Sequence, residues 1–498
     1  MSLRKRVLNS LDLMGDWAIG IFNPRRAFHR KHFRRMGRDG EYRESFISLM
    51  RARGYKSAST GKGLTPWMGS NLSADAEMRH DLPNMRERSR ETNRNDPIGS
   101  GITGTFVRNV IGTGMRPQGT AKNARGVSDK DKNDAMEAVF DDCKDKLALA
   151  EDITYGEYQR MLMSKTLEDG EVIAKMAARN PRDPLWFEVI EIDRLQDPLG
   201  QIQELENGHC VKDGVERDAA GVPVAYWILK SHPGDSLMKM LSDNEAIRIP
   251  RDSVNHLRFN VNRPGQTRAV PALHAVLQDI RDLDLLMVAS LKRVQIAACL
   301  AVFIKSETDV DDIMDVTAEE YGFRMDYNLE PGMMFKLFPN ESIETLVPNF
   351  PVPELSSFII MLARRIGSAL GVSWQVILKD FSDSTYSSAR TDLLESRQTY
   401  KILQHWFIRK HLNWEWKKVL ENARLRGDPR MRGVTDEDIK SVRWIANGWP
   451  WIDPKKEADA TKTKLEVGLT TLRDEAAAQG KDWEDLMRQR LAEELREI

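Results

Sequence analysis

Apolar residues recur at spacings of three and four at Leu273, Val276, Leu277, Ile280, Leu283, Met287, Leu291 and Val294. This predicts one face of a helix that rises roughly 33 Å at ~1.5 Å per residue. The opposite face carries Asp279, Arg281, Asp282, Lys292 and Arg293 and is left for water or a neighbouring subunit. Leu355, Phe358, Ile359, Leu362, Ile366 and Leu370 mark a second amphipathic helix. A third starts near Ser387 and runs past Trp416, with Leu393, Tyr400, Leu403, Phe407 and Trp414 on its stripe. Between the second and third lies a polar loop, Asp380-Phe381-Ser382-Asp383-Ser384-Thr385-Tyr386-Ser387-Ser388, whose small hydroxyl residues cannot build a core. Between the first and second, Ala301–Ile304 and Met333–Leu337 bracket acidic sequence with turns at Pro331-Gly332 and Pro339-Asn340, which reads as a small α/β module projecting from the first long helix. Two long helices, a module and a polar loop in this order suggest a pore rather than an active site.

Upstream the period changes. Asp75–Asn95 is dense in charge, including Arg86, Arg88, Arg90 and Arg94, and has too few apolar residues for a buried helix, so a solvated or subunit-facing helix is expected. Phe106–Gly114 suggests an element ending in a glycine turn, and Ser128–Leu149 a helix with Met136, Val139 and Phe140 on one face. After the turn Glu168-Asp169-Gly170-Glu171, Val172–Met176 and Leu185–Ile192 read as strands. Val211–Ile228 contains a hairpin turning at Asp218–Gly221. Residues 41–262 therefore read as one α+β domain, with Gly54–Asn71 as an extended surface segment.

Composition narrows the classes. At 498 residues the chain exceeds a single core, and roughly three domains are expected. Lys+Arg (74) and Asp+Glu (75) nearly cancel, so no global basic field gathers nucleic acid. Positive charge is concentrated in an N-terminal arm: residues 1–38 hold ten Lys/Arg against Asp12 and Asp16, a net +8, interleaved with Trp17, Phe22, Phe28 and Phe33. Such an arm suits phosphate contact with stacking or an acidic protein surface; the favoured reading is a mobile or partner-covered terminus. Cys143, Cys210 and Cys299 lie far apart, which argues against a zinc site or disulfide framework and for a reducing compartment. The longest apolar run, Ile296–Ile304, falls short of the ~20 residues of a membrane span. Asp12 and Asp16 interrupt the apolar positions after Arg4-Lys5-Arg6, so no secretory signal is expected.

Chemical motifs are absent or out of context. Gly99-Ser100-Gly101-Ile102-Thr103-Gly104 matches GxGxxG, but no buried strand precedes it and no βαβ alternation follows. Gly61-Lys62-Gly63 lacks the Walker spacing, and His29 with His32, or His405 with His411, lack accompanying ligands. Asp279, Asp282 and Asp284 with Arg281 among them read as a solvated face. Nothing reads as an enzyme, and neither a cofactor nor a metal is expected.

Six strings carry a family resemblance: the Arg-rich run ending in Arg94-Asn95, Val110-Ile111-Gly112-Thr113-Gly114, Asp169-Gly170-Glu171, Arg263-Pro264-Gly265-Gln266-Thr267-Arg268-Ala269-Val270-Pro271, Tyr386-Ser387-Ser388-Ala389-Arg390, and Gly448-Trp449-Pro450-Trp451-Ile452-Asp453-Pro454-Lys455-Lys456-Glu457-Ala458. In this order, across most of residues 60–480, the chain resembles the lambda-like portal proteins of tailed phages. It departs at Thr385, where Asn is expected, and at Ala269, where Gly is common. The resemblance implies an α+β portal fold: a basic arm over 1–40, a wing over 41–262, a stem helix over 263–300, a clip over 301–352 and a second stem helix over 353–378. A tunnel loop over 379–390, a channel helix over 391–428 and a helical crown over 429–498 complete it. It further implies a ring of twelve subunits at one capsid vertex, a channel for double-stranded DNA packaging and ejection, and docking of the terminase large subunit, head-tail adaptors, and major capsid and scaffold proteins. The site would be the virion, after assembly in host cytoplasm, with no membrane partner. The implied channel residues are Lys379, Asp380, Ser382, Asp383, Ser384, Thr385, Tyr386 and Arg390 in the loop and Arg397 and Lys401 on the helix. Asp309, Asp311, Asp312, Glu319 and Glu320 would be the exposed clip acids. The rivals are a nucleotide-dependent DNA-processing enzyme using residues 99–104 and a membrane-associated pore anchored by the arm.

Overall fold

The computed structural model describes residues 71–148, 152–178, 183–198, 203–205, 208–235, 245–259, 261–298, 301–306, 341–346, 355–382 and 384–495. Two compact units divide the chain, Met1–Leu72 and Ser73–Ile498, and every element below belongs to the second. The basic arm, nearly all of Gly54–Asn71, the clip acids, Met333–Leu337 with its flanking turns, and Asp383 lie outside the described residues.

Helices α1 (Ala74–Asn95) and α2 (Pro97–Val110) are separated by Asp96, whose extended backbone breaks the first and whose carboxylate accepts from the N–H groups of Ile98 and Gly99 to start the second. The GxGxxG run is therefore helical. Strand β1 (Arg116–Gly119), α3 (Lys130–Lys144) and α4 (Tyr155–Asp169) follow. A capping box between Thr154 and Glu157 opens α4, and Gly170 closes it in the left-handed conformation at φ 85°. Gly170 is needed there, because a Cβ would lie 2.4 Å from the Val270 carbonyl.

Strands β2 (Glu171–Ala177), β3 (Trp186–Ile190), β4 (Gln203–Glu204), β5 (Cys210–Lys212), β6 (Val215–Arg217), β7 (Pro223–Leu229), β8 (Ala246–Pro250) and β9 (Val254–Arg258) make two antiparallel sheets. Their orders are β3-β2-β9 and β4-β5-β6-β7-β8. The expected hairpin is β6–β7, with Asp218 accepting from the Ala220 and Val222 N–H groups at its turn. Helix α5 (Leu277–Ala298) starts later than the spacing predicts, because residues 273–276 form turns hung on the Pro271 and Leu273 carbonyls. Strands β10 (Ala301–Ser306) and β11 (Glu341–Leu346) pair antiparallel beyond it.

The chain returns through α6 (Leu355–Leu370) and α7 (Trp374–Leu378) into α8 (Tyr386–Phe407), a π-turn at Ile408–Leu412 and α9 (Asn413–Leu425). Helix α10 (Asp436–Lys440) leads into β12 (Val442–Ile445), which pairs with β1 more than 300 residues away in sequence. Helices α11 (Pro454–Glu466), α12 (Leu472–Ala478) and α13 (Trp483–Glu494) end the chain and hold no buried residue among those described.

One core joins these parts. Phe106, Phe140, Tyr158, Leu162 and Phe187 of the N-terminal elements pack with Ile280 and Leu283 of α5, Ile366 of α6 and Phe407, Trp416 and Leu420 of the long C-terminal helix. A smaller core, with Ile190, Val215, Tyr226 and Ile228, lies between the two sheets. Helix α1 departs from the solvated or subunit-facing reading: Arg86, Ser89 and Thr92 are buried against the same chain.

Candidate functional site: the polar loop and two motif junctions

Helix α7 ends at Lys379, which adopts φ 57°, ψ 29° and so turns the chain into the polar loop. The Lys379 ammonium donates to Thr105 Oγ1 on α2 at 2.9 Å, and partial burial together with the Arg108 charge lowers its pKa. Asp380 Oδ1 accepts from Ser382 N at 3.0 Å and Ser382 Oγ at 2.6 Å, which lowers its pKa below the ordinary carboxylate value. Ser384 N donates to the Phe381 carbonyl, and Thr385 Oγ1 caps α8 by accepting from Ser388 N at 3.3 Å. Phe381 and Tyr386 are exposed. The described part of the loop is thus a tied turn rooted on α2, with Asp380 engaged locally.

The basic residues of α8 meet the C-terminal segment. Arg390 lies 3.6 Å from Glu457. Arg397 donates to the Pro450 carbonyl at 3.2 Å, and its guanidinium sits 5.8 Å from the Trp449 ring, with the Lys401 ammonium 6.0 Å from the same ring. Trp449 Nε1 donates to Asn109 Oδ1 at 2.9 Å, and Gln404 Nε2 bridges the Val110 and Asn447 carbonyls. Gly112 is confined by Asn447, 2.4 Å from where its Cβ would stand, and has φ 60°. Three of the six strings, at 110–114, 386–390 and 448–458, therefore converge on one junction behind the loop. Trp449 and Asn109 were not singled out from sequence; the tryptophan-rich string was visible but its partners were not.

The other three strings meet elsewhere. Glu171, with no exposed side-chain surface, accepts from Arg86 Nη2, from Arg268 Nε at 2.6 Å, from the Ala269 N–H at 3.1 Å and lies 2.8 Å from His256 Nε2. Burial alone would raise its pKa, but the Arg268 and Arg86 charges and the His256 contact hold it far below the carboxylate range. Burial pushes His256 down to about 4, and burial with repulsion from Arg268 pushes Arg86 down to about 10. Around this centre Ser89 Oγ donates to the Glu168 carbonyl, Arg90 bridges Asp169 and Asp193, and Asp75 accepts from Thr267 N and Oγ1. Arg268 also donates to the carbonyls of Ile192, Leu195 and Asp213, so every arm of its guanidinium is engaged. This junction ties α1, β2 and β9 to the segment that leads into α5.

Among the described residues Glu191, Asp193 and His232 bring ligand atoms within 4.8 Å of one another. His232 Nδ1 accepts from the Gly234 N–H at 3.0 Å, which places its hydrogen on Nε2 facing the two acids, and Arg90 already holds Asp193. His232 Nε2 faces the two acids at 3.4 and 3.6 Å without forming a hydrogen bond to either. No described helix is long and apolar enough to cross a membrane.

Residues 60–404 match the model of the phage portal protein family of the lambda type. The chain is 28% identical over 462 residues to a probable portal protein of Halomonas phage phiHAP-1, covering 89% of this chain and 86% of that one. It is 22% identical over 490 residues to portal protein B of Escherichia phage lambda, covering 90% and 91%. A solved chain from the neck of an empty gene transfer agent particle aligns at a TM-score of 0.45 and 13% identity, covering 85% of this chain and 99% of that one.

Proposed function

The chain belongs to the lambda family of phage portal proteins, and from that premise we propose that copies of it close into a ring, twelve in number, at one vertex of the virion capsid. The bore passes double-stranded DNA inward during packaging and outward at ejection. The observation that carries the reading is an apolar stripe that outruns its own core. Along α5, Ile280 and Leu283 are buried, while Met287, Leu291 and Val294 on the same face are 50%, 59% and 36% exposed. Beside them on α6, Phe358 and Met361 are also exposed. A soluble chain seldom leaves such a face to water, and a head-to-tail contact that closes by rotation covers it in every copy.

In this reading the described parts of 71–262 are the wing, α5 and α6 the stem, and the segment around β10 and β11 the clip, whose acids Asp309, Asp311, Asp312, Glu319 and Glu320 meet the terminase large subunit. Residues 379–390 form the tunnel loop, and the 429–498 segment the crown. The basic arm meets capsid or scaffold protein, and head-tail adaptors dock after packaging. The ring itself hydrolyses nothing: the N-terminal N–H groups of α2 that a phosphate would need are taken by Asp96. Native mass measurement or negative-stain imaging tests the ring. An assembly many times the 56.9 kDa chain is expected; a stable monomer at micromolar concentration, without rings after adding capsid or scaffold protein, overturns it.

A further inference from the structure

An apolar cavity of about 340 Å³ opens between α2, the end of α4, the 259–275 segment, the end of α6 and α8. Its walls are Ile102, Phe106, Leu167, Phe259, Leu370 and Leu403. Ala275 and Ala369, also in its lining, are exposed, so the cavity is open to the outside. A space lined in this way favours an aromatic or aliphatic group, and it exceeds the roughly 150 Å³ in which a benzene ring is accommodated.

The polar loop carries an aromatic ring that its own chain leaves in water. Phe381 is 38% exposed and takes no part in lining the cavity. It stands on a fixed turn. Lys379 before it holds φ 57°, a conformation that a residue other than glycine keeps only where its surroundings impose it, and here the Thr105 hydroxyl takes its ammonium. Asp380 N donates to the Gln375 carbonyl and Ser384 N to the Phe381 carbonyl, both at 3.1 Å. A side chain presented in this way loses little freedom on docking. Helix α2 serves both features, because Thr105 holds the root of the loop while Ile102 and Phe106 wall the cavity. Residues 102–106 span only about 6 Å along a helix. Rotation about a ring axis leaves height along that axis unchanged, so the two unlike halves of a head-to-tail contact must lie near one level. A shared stretch of α2 puts them there whatever the direction of the axis.

We propose that Phe381 of one copy seats in this cavity of the next copy around the ring. The inference rests on the ring reading and names a contact within it. A knob and a hole on different faces of one chain pair head to tail, and in a closed ring every copy offers one and fills one. The contact continues the apolar face already described, since the cavity is walled by the last turn of α6, whose first turns carry the exposed Phe358 and Met361. Burying an aromatic anchor in an apolar pocket is the kind of contact that dominates an interface. Each polar loop is then braced on the α8 of its neighbour, which fixes all the loops relative to one another around the bore.

Cross-linking in the assembled full-length chain tests the seating. Phe381→Cys with Ala369→Cys, both at exposed positions, is treated with a short bis-maleimide, and the two single variants control for Cys143, Cys210 and Cys299. The double variant alone should give a ladder of linked chains on a denaturing gel. In parallel, Phe381→Ala should raise the concentration at which rings half dissociate by about tenfold or more, as loss of an aromatic anchor does. Rings that form but give no ladder, or a link confined within single chains, overturn the seating and leave the ring reading intact. Rings of Phe381→Ala that dissociate as the native ones do overturn it as well. Native chains that form no ring remove the ring reading and the seating with it, so native mass separates the two failures. If the double variant does not assemble, Phe381→Ala decides alone.

Discussion

Glu171 is contacted by groups far away in sequence: Arg86 is 85 residues before it and Arg268 is 97 after it. Removing its charge leaves two buried guanidiniums facing each other, so Glu171→Gln should lower stability by about 3–5 kcal/mol, read as a denaturant midpoint on the assembled chain. The acid sensitivity of this junction comes from His256. Its folded value of about 4 lies below the ordinary 6.5, so on acidification the unfolded chain takes up a proton that the folded chain refuses. Stability from this group is complete above that window and drains away as pH falls from 6.5 towards 4, and His256→Gln should flatten the melting-temperature profile there. Glu171 itself, with its depressed value, gives up its share only in stronger acid. Little of this was legible beforehand. Asp169-Gly170-Glu171 could be read as a turn from its glycine, but a carboxylate does not announce partners that fold in from α1 and from residue 268. The same blindness made α1 look solvated: its few apolar residues were counted correctly, yet Arg86 is buried by charge and hydrogen bonding.

Elements were more legible because their periods are local. The α5 and α6 stripes, the β6–β7 hairpin and the faces of α3 follow from spacing alone. The long helix shows where period fails. A stripe drawn through Phe407 at helical spacing reaches Trp414, but the π-turn adds a residue and advances the phase, so Trp416 becomes the fully buried tryptophan and Trp414 packs half-buried against Phe187. No residue type in Ile408–Leu412 signals that insertion, and Asn255, which donates to the Lys410 carbonyl within it, comes from the distant strand β9. The α5 stripe makes the element-scale prediction. Met287→Glu with Leu291→Glu places charge on positions already half exposed, so unfolding of the isolated chain should move by no more than about 0.5 kcal/mol per site. Ring formation should be lost in the same variant, seen as a fall in native mass to the single chain. Intact rings would mean that neighbours do not cover this face.

At the scale of the whole molecule, the six sequence strings resolve into two junctions, one tying α1 and β2 to the segment before α5 and one tying α8 to the C-terminal segment, with the polar loop between α7 and α8. That arrangement was invisible in sequence, where the strings are only ordered, not paired. In the proposed ring it bears on how the loop would meet DNA. Lys379 is spent on Thr105, Arg390 lies 3.6 Å from Glu457, and Arg397 and Lys401 of α8 lie against Trp449, so the loop's remaining formal charges are those of Asp380 and Asp383. A bore that passes DNA must avoid long-lived phosphate pairs, and an acidic rim does so while a cationic one would hold the strand. Changing Asp380 and Asp383 to Lys reverses two charges and so adds four units per copy, repeated around the ring. Folding and ring assembly should survive, because Asp380 is exposed and its bonds stay within the loop. Packaging should slow or stall, most severely at low salt, and recover in part as salt screens the added lysines over about 10 Å at 0.1 M. Packaging and DNA retention measured across salt in particles carrying the double substitution check this, and normal, salt-insensitive packaging would place the loop away from the DNA path.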